Sequence, residues 1–81
     1  MTGNTLTNEQ IQRKVISAFD SVNVIVNNIS EEKNDNRKKL IENNYKHLEI
    51  MFNKDWFFDA LSETQKTTIK ECIMSGITYF N

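Results

Sequence analysis

Between Gly3 and Gly76 the chain contains neither a glycine nor a proline, and proline is missing from all 81 residues. Glycine and proline are the strongest local breakers of regular structure. Sandwiches and barrels of many short strands lean on them at their turns. A long run without either is written for helices, with the few turns built from asparagine, aspartate and serine. The expected fold is all-α, a compact bundle of three main helices plus one short helical turn. At this length it forms a single domain over residues 1–81 with a thin core, and residues 1–5 form a loose polar tail.

Apolar spacing divides the run. Thr7 followed by Gln10 fits a capping box, in which hydroxyl and amide each satisfy a backbone donor that the helix cannot. Leu6 and Ile11 flank it as a hydrophobic staple. Ile11, Val15, Ala18, Phe19, Val22, Ile25, Val26 and Ile29 then recur at three- and four-residue steps, which puts them on one stripe of a first helix. From Ser21 to Asn28, β-branched residues and asparagines lower helix propensity, and Val22, Val24 and Val26 alternate as a strand would. Helix is preferred because the chain has no second strand-like segment to pair with, with an early end or a kink near Asp20 as the alternative.

The polar segment Ile29–Lys39 reads as the main linker, with Ser30, Asn34, Asp35 and Asn36 as candidate caps for a second helix ending near Asn53. Its stripe is Leu40, Ile41, Asn44, Tyr45, Leu48, Met51 and Phe52, with Glu42 and Lys46 paired on the outside. Asp55 is expected to cap the short turn Trp56–Leu61. The last helix repeats the opening signature, because Leu61-Ser62-x-x-Gln65 matches Leu6-Thr7-x-x-Gln10. Its stripe is Ile69, Cys72, Ile73, Gly76, Ile77 and Phe80. Gly76 on the buried side lets another helix approach closely, at a propensity cost of about 1 kcal/mol. Leu48–Leu61 holds Met51, Phe52, Trp56, Phe57 and Phe58. Aromatics dominate what a small core can bury, so this stretch is expected to be its centre.

Residues with chemical potential are few. His47 is the only histidine and has no histidine or cysteine at i+3 or i+4 to complete a metal pair. Cys72 is the only cysteine, which excludes an intramolecular disulfide, and its apolar stripe neighbours make an inert core thiol. Asp55 and Asp59 could form a carboxylate pair, but at a helix start they read more simply as a cap and a dipole partner. No catalytic, cofactor-binding or metal-ligating residue is assigned. Lys33, Arg37, Lys38, Lys39 and Lys46 are candidate phosphate contacts, giving nucleic-acid binding as the alternative function. The net charge of −1, the acids and asparagines among these residues and the distance of the aromatics argue for a solvated face instead. Leu61–Gly76 has the spacing of a helix-turn-helix opening, yet only Ile77–Asn81 follow, too few for a recognition helix.

More informative are large apolar residues that miss their stripes: Ile16 and Val24 on the first helix, Ile50 on the second and Met74 on the last. Four of them on a thin-cored domain suggest a second buried surface. They are the candidate interface, and the expected function is a non-enzymatic protein-protein interaction or self-associating module, with itself or another protein as partner. No apolar run is long enough to span a bilayer and the first ten residues do not resemble a signal peptide, so a cytoplasmic location with no membrane partner is expected.

The run His47–Phe80 has a helix ending His-Leu-x-Ile-Met, then Lys-Asp-Trp-Phe, then Leu-Ser-x-x-Gln opening a final helix with a glycine near its end. In this it resembles the C-terminal half of short uncharacterised helical proteins of T4-like and marine tailed phages. The resemblance covers under half the chain and implies a phage setting, hence a host cytoplasm. The abundance of asparagine, lysine and isoleucine, residues with AT-rich codons, agrees with that setting. It brings no activity, cofactor or site.

Overall fold

The computed structural model describes residues 6–81, so the tail expected at residues 1–5 lies outside the described residues. Four helices follow in order: α1 (Asn8–Ile29), α2 (Asp35–Phe52), α3 (Asp55–Asp59) and α4 (Glu63–Tyr79), with no strand among the described residues. The three long helices pack on one another pairwise, while the short α3 rests on α1 and α2. This is the all-α bundle of three main helices plus one short turn.

Helix starts follow from side-chain caps. The Gln10 N–H donates to Thr7 Oγ1 at 3.1 Å while the Thr7 N–H donates to Gln10 Oε1 at 2.9 Å. The same reciprocal box joins Ser62 and Gln65 at 3.1 and 2.8 Å. Among the linker candidates Asn34 is the cap of α2, accepting from the Arg37 N–H at 2.8 Å, and Ser30 instead terminates α1.

Asp55 is not a cap. Lys54 occupies that position with no side-chain hydrogen bond, and Asp55 is the first helical residue of an α3 that ends at Asp59. An acid there still faces the positive end of the helix dipole.

Ser21–Asn28 stays helical, and α1 runs unbroken to Ile29. Val22 is 6% exposed and Ile25 1% exposed, and burial of that order outweighs a propensity deficit of a few tenths of a kcal/mol per residue. The Asn28 amide also donates to the Val24 carbonyl at 2.7 Å, so this asparagine bonds within the helix rather than ending it.

The core joins Val15, Ala18, Val22 and Ile25 of α1, Leu48 and Met51 of α2, Phe57 of α3, Leu61, and Ile69, Cys72 and Ile73 of α4, with Phe19, Tyr45, Phe52, Trp56 and Ile77 packed at its margin. The aromatic stretch is thus central, but divided. Phe57 is fully buried, whereas its neighbour Phe58 is exposed, because adjacent helical residues point about 100° apart and a five-residue helix resting on a bundle can bury only one of them.

Three stripe residues are outside. Val26, Leu40 and Phe80 are exposed, since all three lie toward the end of the bundle where α1 passes into α2 and α4 terminates. There Leu40 lines an open polar hollow with Asn28, Asn34, Asp35, Asn36 and Arg37, and Phe80 sits past the last turn of α4, packed on the Tyr45 and Tyr79 rings. Buried in their place are Ser21 and Tyr79.

Gly76 does what its position implies. A Cβ built on it would lie 2.6 Å from Tyr45 Cβ and 2.7 Å from Tyr45 Cγ. At this level α2 and α4 touch through a glycine, and only a missing side chain allows that spacing.

Candidate functional site

Two of the four candidate interface residues lie close to one furrow, on either side of Glu49 and Asn53. Ile50 on α2 is 60% exposed and Met74 on α4 55% exposed. Met74 lines the furrow between these helices, and Ile50 stands outside it, beside the α2 residues of its wall. Glu49, Phe52 and Asn53 form its α2 wall, and Lys70, Ile73 and Met74 its α4 wall. On the outer slope of α2, Ile50 adjoins the same Glu49 and Asn53, with Lys46 beside them. Toward α3 the furrow continues past Phe52 and Phe58 to Glu63, Lys66, Thr67 and Lys70.

The other two stand apart. Ile16 is exposed at 62% on α1 but does not line this furrow. Val24 is half-buried rather than outward-facing, a correction to its reading as an off-stripe residue, and neither it nor Ile16 has an apolar partner on the α2–α4 face.

Phe52 and Phe58 extend the apolar surface, their rings edge to face with centroids 5.2 Å apart. Lys66 Nζ sits 4.4 Å from the centre of the Phe58 ring and 3.1 Å from a Glu63 carboxylate oxygen. This covers part of the aromatic with a lysine stem. Sequence reasoning missed Phe58 by reading the aromatic run mainly as core. The available signal was the adjacency of Phe57 and Phe58 on one short helix.

The basic segment is dispersed. Lys33 Nζ donates to the Tyr79 carbonyl at 3.3 Å and lies 4.8 Å from the Tyr79 ring centre, so it terminates α4 rather than waiting for a phosphate. Arg37 donates through Nε to Asn28 Oδ1 at 3.2 Å and through Nη1 to the Glu32 carbonyl, tying the α1–α2 connection together. Lys46 pairs with Glu42 at 3.2 Å. Its hydrogen bond with that carboxylate, and the attraction of the charge, hold the ammonium pKa above its ordinary value. Among the described residues only Lys38 and Lys39 of the five are exposed without an ion pair or side-chain hydrogen bond.

The remaining candidates are isolated. His47 is half-buried, and Asp55 and Asp59 are exposed on α3. Cys72 is buried in the core, where desolvation of the thiolate pushes its pKa up to about 11. Among the described residues, no three His, Cys, Asp or Glu side chains are grouped to hold a metal ion, and no helix is long and apolar enough to cross a membrane. No protein-family model matches the chain, and no curated protein or solved structure matches it.

Proposed function

We propose that the chain is a non-enzymatic interaction module that binds a protein partner through the α2–α4 face. One observation carries the reading: Met74, large, apolar and more than half exposed, lines a furrow with Phe52 and Ile73 that continues past Phe58, and the equally exposed Ile50 stands beside Glu49 and Asn53 of its α2 wall. Contiguous apolar surface of this kind, edged by charge, is the usual mark of a protein contact. The basic segment is the weaker surface, since internal partners hold three of its five cations. The resemblance of His47–Phe80 to short phage proteins and the AT-rich residue usage support a phage-encoded protein acting in the host cytoplasm.

Photo-crosslinking tests this. A photoreactive amino acid at position 50 or 74, in the chain expressed in cells, should give a discrete protein adduct on irradiation, and the same group at exposed position 16 should give none. Equal labelling at all three positions, or none at 50 and 74, would refute the proposal.

A further inference from the structure

We infer that the occupant of this face is a second copy of the chain, related by a two-fold axis that runs along the α2–α4 furrow. The inference rests on the interaction face proposed above and names its partner. Such an axis lays α2 of each copy over α4 of the other. Glu49 and Ile50 of one copy then meet Lys70 and Met74 of its mate, and the reciprocal contact forms on the other side of the axis.

The two margins of the furrow are complementary. The α2 margin presents an acid, Glu49, beside an apolar residue, Ile50. The α4 margin presents a base, Lys70, beside an apolar residue, Met74. All four lie at one level of the bundle, because Glu49 and Asn53 adjoin both Ile50 and Met74. A closed dimer needs a surface that fits itself, with residue i touching j and j touching i. These margins meet that condition if the axis exchanges them. An axis running across the furrow would instead stack Glu49 on Glu49 and Lys70 on Lys70.

The charge pattern around the furrow narrows the choice. Its other cations are already satisfied within their own helices, Lys46 by Glu42 at 3.2 Å and Lys66 by Glu63 at 3.1 Å. Among the described residues, Glu49 and Lys70 take part in no ion pair and no side-chain hydrogen bond. One acid and one base of opposite margin are therefore left over, the minimum that a symmetric contact needs. Charges so placed set register and exclude wrong partners more than they add affinity, while the anchoring contact comes from Ile50 and Met74. A domain this small also gains core by pairing.

The test is sedimentation velocity of the full chain over a concentration series, with circular dichroism to verify folding. Wild type should show a reversible monomer–dimer equilibrium. Met74→Asp should weaken the dimer by about 100-fold or more. Glu49→Lys and Lys70→Glu should each weaken it by about tenfold, and the double variant, which restores opposite charges across the axis, should recover most of that loss. A folded wild type that remains monomeric at about millimolar concentration overturns the second-copy assignment, and so does a dimer that Met74→Asp leaves unchanged or a charge swap that fails to recover. A monomeric chain whose positions 50 and 74 cross-link to a different protein overturns this inference while leaving the interaction face standing. A chain that neither dimerises nor cross-links overturns both.

Discussion

Gly76→Ala sets helix propensity against packing and gives them opposite signs. Glycine inside a helix is about 1 kcal/mol worse than alanine. If nothing pressed on position 76, the substitution would therefore stabilise α4 by about that amount. The structure requires otherwise, because the new methyl would lie 2.6 Å from Tyr45 Cβ and 2.7 Å from Tyr45 Cγ. Ordinary carbon contacts are about 3.5 to 4.0 Å, so the overlap is about 1 Å. Tyr45 Cβ is fixed to the α2 backbone and cannot rotate away, so relief has to come from moving α2 and α4 apart. A radial gap of that size forfeits a quarter to a half of the dispersion attraction of each affected pair. Overpacking a well-filled site costs about 1 to 3 kcal/mol. Because the overlap is with two atoms at or next to the backbone, the upper half of that range applies. After the propensity gain, the variant should be about 1 to 2 kcal/mol less stable, lowering Tm by about 5 to 15 °C for a domain of this size. Urea unfolding followed by circular dichroism gives the sign directly. Ser75→Ala, at an exposed neighbour on α4, is the control and should gain a few tenths of a kcal/mol. A Gly76→Ala protein more stable than wild type would refute the close approach of α2 and α4.

Three further outcomes follow from particular atoms. Tyr79 is buried, and its hydroxyl has no hydrogen-bond partner. Tyr79→Phe removes the unpaired group while keeping the ring beneath Lys33, and should raise stability by about 1 kcal/mol in urea titrations. Cys72 titrates near 11 in the fold against 9.0 when unperturbed, so above pH 9 the unfolded chain releases a proton that the folded chain retains. Cys72 leaves stability unchanged below that pH and lowers it as pH rises from 9 to 11, by a contribution on the order of 2 kcal/mol that Cys72→Ala should remove in pH-dependent melts. Ser62→Ala removes the hydroxyl of a complete capping box and should cost about 1 kcal/mol, whereas Lys54→Ser, at a helix start that has no side-chain cap, should gain a few tenths.

Local grammar was legible in the chain where its cause is local. The Thr7–Gln10 and Ser62–Gln65 boxes are satisfied within four residues, so the sequence alone shows them and both form. Gly76 was readable because a lone glycine on an apolar helical stripe sacrifices propensity, and close approach of a second helix is what offsets that loss. What could not be read depends on which neighbour covers a residue. Leu40 has core-like phase, yet it lines the hollow where the α1–α2 connection is open to solvent, and Val26, in the last turns of α1, is exposed as well; helical periodicity carries no information on where a bundle ends. Tyr79 is buried by Lys33, 46 positions earlier. The same limit applies to the candidate interface. Phase points Ile16, Val24, Ile50 and Met74 away from their stripes, but only the packing of α2 on α4 puts Met74 on a furrow, with Ile50 beside its α2 wall and Ile16 elsewhere.

The packing that closes the bundle also sets the dimensions of the candidate face. Glu49 is one turn after Tyr45 on α2, and Ile73 is one turn before Gly76 on α4, so the furrow lies one turn along from the Tyr45–Gly76 contact. The separation of its margins is therefore fixed by a glycine that takes no part in binding. A two-fold contact between Glu49 and Lys70 needs that separation to match itself in the second copy, and an error there enters twice, once on each side of the axis. Gly76→Ala, which widens the α2–α4 spacing, should consequently weaken self-association by more than its modest loss of stability explains, at temperatures where the monomer is still fully folded. Unchanged dimer affinity in a folded Gly76→Ala protein would show that the contact between copies does not depend on the width of the furrow, and the two-fold arrangement along it would have to be abandoned.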